Sequence, residues 1–190
     1  MNAARRIAKE EAAGERVTLT PLRAAHAAAL FPLQNDWEVM RMLAEAPWPL
    51  ALADVEEFAK RQRSPDRGSD DFAILLAGEP VGVCGVKHPG TGMPPRRMPR
   101  LGYWVGRPFW GRGIATDALS ELLHHTFAHF PHEVVGAGVF VDNAASRRVL
   151  EKLGFIRVRG YPTPCRSRGE DVPVDDMNLT RDAWAAGGGR

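Results

Sequence analysis

One stretch constrains this chain more than any other: "RLGYWVGRPFWGRGIATDALSELLHH", residues 100–125. An apolar run ends, a short loop crowded with glycine and arginine follows, and a helical pattern begins at Ile114. The first four N–H groups of a helix have no partner inside it, and the helix dipole is positive there. Glycine lets the backbone approach a ligand closely and adopt positive φ. Together these features make a seat for an anion, most often phosphate. The local charge agrees, because Arg96, Arg97, Arg100, Arg107 and Arg112 fall within seventeen residues that hold no Asp or Glu. A tight turn on a solvated basic face is the alternative, and the physics leaves both open. The segment has neither the G-x-x-x-x-G-K-S/T of a P-loop nor G-x-G-x-x-G, which disfavours nucleotide hydrolysis and dinucleotide binding.

The rest of the pattern sets the frame around that junction. "VTLTPL" (17–22) alternates like a short strand ended by Pro21. "RAAHAAALFPL" and "DWEVMRMLAEA" read as short helices, and residues 52–64 as a third, with Leu52, Val55, Phe58 and Ala59 on one face. "FAILLA" (72–77) and "PVGVCGVKH" (80–88) form a predicted hairpin across Gly78 and Glu79, and residues 100–106 a further strand. The helix after the loop carries Ile114, Ala115, Ala118, Leu119, Leu122 and Phe127 on a broad apolar face. Residues 133–141 read as a buried strand, and 143–155 as a helix that starts at Asn143 and stops at Gly154. "IRVRGY" and "DVPVDDMNLT" close the sheet. This order predicts an α/β fold with a single mixed sheet, partly antiparallel. The expected organisation is a flexible arm over 1–15, one domain over 16–184 and a disordered tail over 185–190.

Bulk properties exclude more than they assign. The 190 residues are 44% hydrophobic and 25% charged, with a formal net charge of +2. That charge is too small to argue for nucleic acid or membrane. Cys84 and Cys165 form no metal-ligand or disulfide pattern, so no metal is expected. The charged start lacks a signal-peptide core, and no apolar run reaches membrane-spanning length. A cytoplasmic location is expected.

Asn143 and Ser146 read first as a helix cap and a first-turn residue. Cys84, in an apolar strand, reads as packing rather than as a nucleophile.

Taken together, "WGRGIATDAL" and, about thirty residues on, "VDNAASRRVLEKLGF" closely resemble the GNAT acetyltransferases. More narrowly they resemble the ribosomal-protein N-acetyltransferase-like branch, which also carries a "GYW" strand. "VTLTPLRAAHAAAL", "APWPL" and "NLTRDAW" are similar to that branch too, so the likeness runs over roughly residues 16–184. The general signature Q/R-x-x-G-x-G/A falls on Trp110, Gly111, Arg112, Gly113, Ile114 and Ala115. Trp110 departs from it but suits the branch.

The resemblance implies a GNAT fold, a mostly antiparallel sheet flanked by helices with a splayed central strand pair. It implies acetyl-CoA as co-substrate, with the pyrophosphate on the N–H groups from Arg112 to Thr116. Arg107 and the Arg112 side chain would add charge. The pantetheine arm would lie along Trp104, Val105 and Gly106 and meet Asn143. Ser146 is the implied proton donor to the leaving thiolate, because the tyrosine many relatives use further along this helix is replaced by Leu150. A backbone N–H near Val105 is placed to stabilise the oxyanion.

The general base is not evident. Some relatives place a Glu where this chain has Arg100, which leaves His88 as the first candidate and Asp70 and Asp71 as others. Deprotonating a lysine at pH 7 costs about 4–5 kcal/mol, against about 1–1.5 kcal/mol for an α-amine. Without a base, a low-pKa amine is favoured. Trp37, Trp48 and Phe58 are candidate walls of the acceptor pocket.

The expected activity is acetyl transfer to an amine of a protein N-terminus or a small molecule, by a monomer or homodimer with no membrane or nucleic-acid partner. The alternatives are an antibiotic or metabolite acetyltransferase, and a non-catalytic acyl-CoA sensor.

Overall fold

The computed structural model describes residues 17–62, 64, 67–90 and 97–187. Hairpin chemistry and hydrophobic alternation build one seven-stranded sheet in the order β1-β2-β3-β4-β5-β7-β6. The strands are β1 (Val17–Pro21), β2 (Ser69–Leu76), β3 (Glu79–Lys87), β4 (Arg100–Val105), β5 (Val134–Phe140), β6 (Ile156–Cys165) and β7 (Glu170–Thr180). The turn between β2 and β3 is Ala77–Gly78, both at positive φ, which matches the twist of a tight hairpin.

Every neighbouring pair is antiparallel except β4 and β5. Those two strands are parallel, and they pair only at Arg100–Gly136 and Leu101–Ala137. Beyond Leu101 they diverge.

The helices are α1 (Ala27–Gln34), α2 (Trp37–Met40), α3 (Leu52–Arg61), α4 (Ile114–His129), α5 (Ala144–Lys152) and α6 (Arg181–Ala186). Strand alternation divides the sheet residues between two faces. Ile74, Cys84, Leu101, Val105, Val135, Ala137 and Met177 pack under α4, where Leu119, Leu122 and Leu123 are fully buried. Each such leucine contributes about 1.5–3 kcal/mol of burial. Ala73, Val83 and the half-buried Trp104 face the other way, against Leu30, Met40, Val55 and Ala59 of α1–α3.

Helix α5 is fixed to the sheet by charge. Arg147 on α5 and Arg157 on β6 both donate to the buried Asp175 carboxylate on β7. The tip of the β6–β7 hairpin is tied to the end of α2, with Ser167 Oγ donating to the Met40 carbonyl at 2.8 Å.

The strands expected at "IRVRGY" and "DVPVDDMNLT" extend further, to Cys165 and from Glu170. Pro162 and Pro164 are tolerated because β6 is an edge strand. The helix expected over 36–46 closes at Met40, and the one over 52–64 at Arg61. Ala185 and Ala186 belong to α6 rather than to a tail, while the N-terminal arm, Arg96 and residues 188–190 lie outside the described residues.

Candidate active site

The divergence of β4 from β5 opens a cleft on the sheet. Hydrogen-bond alternation decides which backbone groups face it. The Gly106 N–H donates to the Val81 carbonyl of β3 at 2.9 Å, and its own carbonyl accepts from Phe109. Trp104 pairs with Val83 in the same ladder, so its N–H and C=O point towards β3. The groups of Tyr103 and Val105 therefore turn into the cleft. Of the expected trio, Gly106 has both groups engaged and Trp104 points away, which leaves Val105 joined by Tyr103. The Val105 carbonyl accepts from Trp110 Nε1 at 2.6 Å, leaving its N–H as the donor available at the cleft. Trp110, where the general signature has Gln or Arg, thus anchors the loop to the strand.

The loop itself turns on two glycines at positive φ, Gly111 at 77° and Gly113 at 87°. Gly113 caps α4, and its carbonyl accepts from Thr116 at 2.9 Å and Asp117 at 3.1 Å. Thr116 is thereby removed from the expected set of anion donors. The first-turn amides of Ile114 and Ala115 have no acceptor within the helix. A Cβ at Gly111 or Gly113 would meet nothing within 4 Å, so the cradle is open. The Arg112 guanidinium lies 5.8 Å from the centre of the Phe109 ring at the rim. Arg107 is turned elsewhere, with its Nε 2.6 Å from Asp36 Oδ2 at the start of α2.

Across the cleft, Asn143 Oδ1 accepts from the Ser146 N–H at 3.0 Å, so the cap is real and leaves the Asn143 amide nitrogen for other partners. Tyr103 O–H donates to Ser146 Oγ at 2.9 Å. Burial pushes the Tyr103 phenol up to about 12, against the opposing pull of its bond to Ser146. The pair joins β4 to α5 over the cleft. Sequence reasoning missed Tyr103, although the "GYW" strand contains it. Leu150 is buried in the core, as a hydrophobic replacement must be.

The groove continues on the α1–α3 face, and its volume with the cleft is about 2010 Å³. Phe58 lines it, but Trp37 and Trp48 do not; their rings meet each other at 5.3 Å, tilted by 56°, each about 40% exposed. His88 is also elsewhere. Its Nε2 lies 3.2 Å from Asp70 Oδ1, and its ring packs on Phe130 beyond the end of α4, on the opposite face. Strand alternation instead brings Asp71 into the groove. Its Oδ2 accepts from Ser69 Oγ and from Gln62 Nε2 at 2.6 Å, and its N–H donates to Gln62 Oε1 at 3.1 Å. Burial raises the Asp71 carboxyl, an effect the Ser69 bond opposes. Arg100, at the position where some relatives have Glu, crosses β5 over Gly136 to meet Asp176 at 2.6 Å. Cys84 is fully buried and its thiol is pushed well above its ordinary range by desolvation, which makes it packing.

The splayed strands, the glycine loop and the capped helix match a known family. The GNAT acetyltransferase domain family covers residues 16–156. The chain belongs to the GNAT acetyltransferases. It is similar to the uncharacterised N-acetyltransferase p20 of Bacillus licheniformis, with 23% identity over 178 residues, 90% of this chain and 96% of that protein. Another curated N-acetyltransferase matches only locally, at 36% over 59 residues, spanning about a third of its length (33%). The fold is shared with Mycobacterium smegmatis RimJ in complex with CoA-disulfide, at TM-score 0.75 and 24% identity, covering 90% of this chain and 89% of that one. It is likewise shared with the aminoglycoside acetyltransferase AAC(6')-Ib in complex with coenzyme A, at TM-score 0.74 and 21% identity, covering 90% and 98%. This GNAT protein is an acetyl-CoA-dependent N-acetyltransferase of the acyltransferase class. Among the described residues no cluster suited to a metal ion occurs, and no helix is long and apolar enough to cross a membrane.

Proposed function

We propose that the chain transfers acetyl from acetyl-CoA directly to a primary amine of a protein N-terminus or a small molecule, in the cytoplasm, as a monomer or homodimer. The observation that carries this reading is the stretch of β4 beyond Leu101 that no longer pairs with β5, with the glycine loop on one side and Asn143 and Ser146 on the other. Two buried, unpaired cysteines suit a reducing compartment.

The pyrophosphate lies on the amides of Ile114 and Ala115, with Arg112 adding charge. The pantetheine arm runs along Tyr103 and Val105 and meets the Asn143 amide. The neutral amine attacks the thioester carbon, a C–N bond forms, and the oxyanion accepts from the Val105 N–H. Collapse breaks the C–S bond, and the Tyr103–Ser146 pair donates to the sulfur as its charge develops. The phenol is protonated at neutral pH, which suits a donor. The proton lost by the amine restores the balance, giving amide and CoA-SH.

A panel of amines, including peptides with free N-termini and polyamino sugars, scored by thiol release, tests the reading. Saturable release with an amine, and an acetylated product by mass, is the expected result. Binding of acetyl-CoA without release on any amine overturns it in favour of a sensor.

A further inference from the structure

One row of the sheet face that floors the groove is made of glycine, and it is open at Gly102: the Asp71 carboxylate covers Gly85, and a Cβ at Gly138 would meet Val174, Arg100 and Tyr161 at 3.3 to 3.7 Å. Asp71 on β2 is opposite Gly85 on β3, and Gly85 is opposite Gly102 on β4. Across the splay, Leu101 is level with Ala137, which brings Gly138 of β5 into the same row. Three glycines thus run from the Asp71 carboxylate to the cleft and past it.

The glycine at 85 is required by the carboxylate itself. A Cβ there would overlap Asp71 Oδ1 and lie 2.8 Å from its Cγ. The side chain therefore lies flat over Gly85, one strand nearer the cleft than its own Cα. A Cβ at Gly102 would meet nothing within 4 Å, so the floor beyond is open. Strands are about 4.8 Å apart. The carboxylate is then roughly one strand spacing from Gly102 and less than two from the gap where β4 leaves β5. An acceptor nitrogen over Gly102 lies between the Asp71 carboxylate and the gap where β4 leaves β5.

The two oxygens are not equivalent. Oδ2 is held by Ser69 and Gln62, which fixes the group, while Oδ1 points over Gly85 along the trough.

Resting on the N-acetyltransferase reading, we propose that Asp71 is the general base for the acceptor, and that the open floor at Gly102, the trough between Asp71 and the cleft, admits a primary amine on a slim, unhindered arm. The ammonium form enters and gives one proton to Asp71 Oδ1. The free amine then attacks the thioester carbon, and its second proton leaves with the collapse to amide and thiol. A base at this position removes the need for a low-pKa amine, so an alkyl amine near the lysine range is a competent acceptor. His88, the base expected from sequence, is behind the sheet beside Asp70, and Asp71, which alternation turns to the other face, takes the role.

Other charges act on this carboxylate. Lys87 and His88 from the end of β3 draw it down, and Asp70 beside it raises it. Glu57 and Arg61 of α3 and Arg100 of β4 line the same groove. Desolvation outweighs them, and the group sits above the ordinary carboxylate range.

The test is the pH profile of kcat/KM on an amine that the wild-type enzyme acetylates, alongside acetyl-CoA affinity measured without acceptor. Asp71→Asn is expected to lower kcat/KM at pH 7 by at least about 10²-fold, the scale of general-base catalysis. Its remaining rate should climb about tenfold per pH unit as the amine deprotonates itself. Acetyl-CoA affinity should stay within about twofold, as no contact with the cofactor is removed. Ser69→Ala, which deletes a bond that holds the carboxyl down, should move the acidic limb to higher pH and serves if Asp71→Asn does not fold. Gly102→Ala has room for its methyl and should lower kcat/KM for the amine while sparing acetyl-CoA binding. An Asp71→Asn enzyme with the wild-type rate and limb overturns the base and leaves the transferase standing. A Gly102→Ala enzyme with full acceptor activity overturns the trough. A wild-type enzyme that acetylates no amine overturns the parent reading as well.

Discussion

Replacing Gly113 by alanine separates a backbone requirement from a packing one. A Cβ at this position meets nothing within 4 Å, so no collision is introduced. The cost is conformational. Gly113 caps α4 at φ 87°, a region that costs an L residue about 1–2 kcal/mol. Alanine recovers part of this, about 0.4–1 kcal/mol, by narrowing the unfolded ensemble. A net loss of about 1 kcal/mol corresponds to a Tm lower by about 2–4 °C in a chain of this size. The effect on acetyl-CoA is larger. If the loop relaxes, the Ile114 and Ala115 amides turn from the phosphates, and each charge-assisted bond is worth about 1.5–3 kcal/mol. Calorimetric titration should therefore show acetyl-CoA binding weakened at least about tenfold by loss of one such bond. Gly113→Asn, which tolerates this region better, should recover much of both. An alanine variant with unchanged Tm and unchanged acetyl-CoA affinity refutes the reasoning.

Two further outcomes follow from the charges and hydrogen bonds around the cleft. Tyr103→Phe keeps the packing and removes the donor to Ser146; kcat in a thiol-release assay should fall about 10²-fold or more with the acetyl-CoA KM little changed, and an unchanged kcat strips the pair of its role. Arg157 and then Arg147 hold the Asp175 carboxyl below the usual carboxylate range. Because its folded value is depressed, this stabilisation is present above the unfolded value near ~3.9 and is lost as pH falls through the folded one. Asp175→Asn should thus lower the urea midpoint at pH 7 and do so progressively less towards pH 2; an equal deficit at both pH values contradicts the linkage.

Local signals carried most of the fold. Asn143 and Gly154 bracketed α5 correctly, with Asn143 capping Ser146 and Gly154 at φ 92°. Alternation placed β2–β5 to within a few residues, and the glycines at 111 and 113 marked the turn that opens α4. What the chain conceals is set by pairing across distance. Nothing in "GYWVG" says that the Gly106 amide is spent on Val81. Nothing near Asp36 says that it will claim Arg107. Asp70 and Asp71 are adjacent and chemically alike in sequence, and only the sheet sends one under α4 beside His88 and the other into the groove. The glycine row was hidden for the same reason, since Gly85, Gly102 and Gly138 meet only through strand register.

The most direct test of the central claim is the thermal shift produced by acetyl-CoA in the wild-type chain and in Arg112→Glu. At about 100 times its Kd, a ligand that binds only the folded state adds about 2.7 kcal/mol, or roughly 5–11 °C in Tm here. The wild-type chain should show that shift, and Arg112→Glu should lose most of it while keeping its unliganded Tm. No shift in the wild type, or an equal shift in both, would contradict the placement of the pyrophosphate on the Gly111–Ala115 loop.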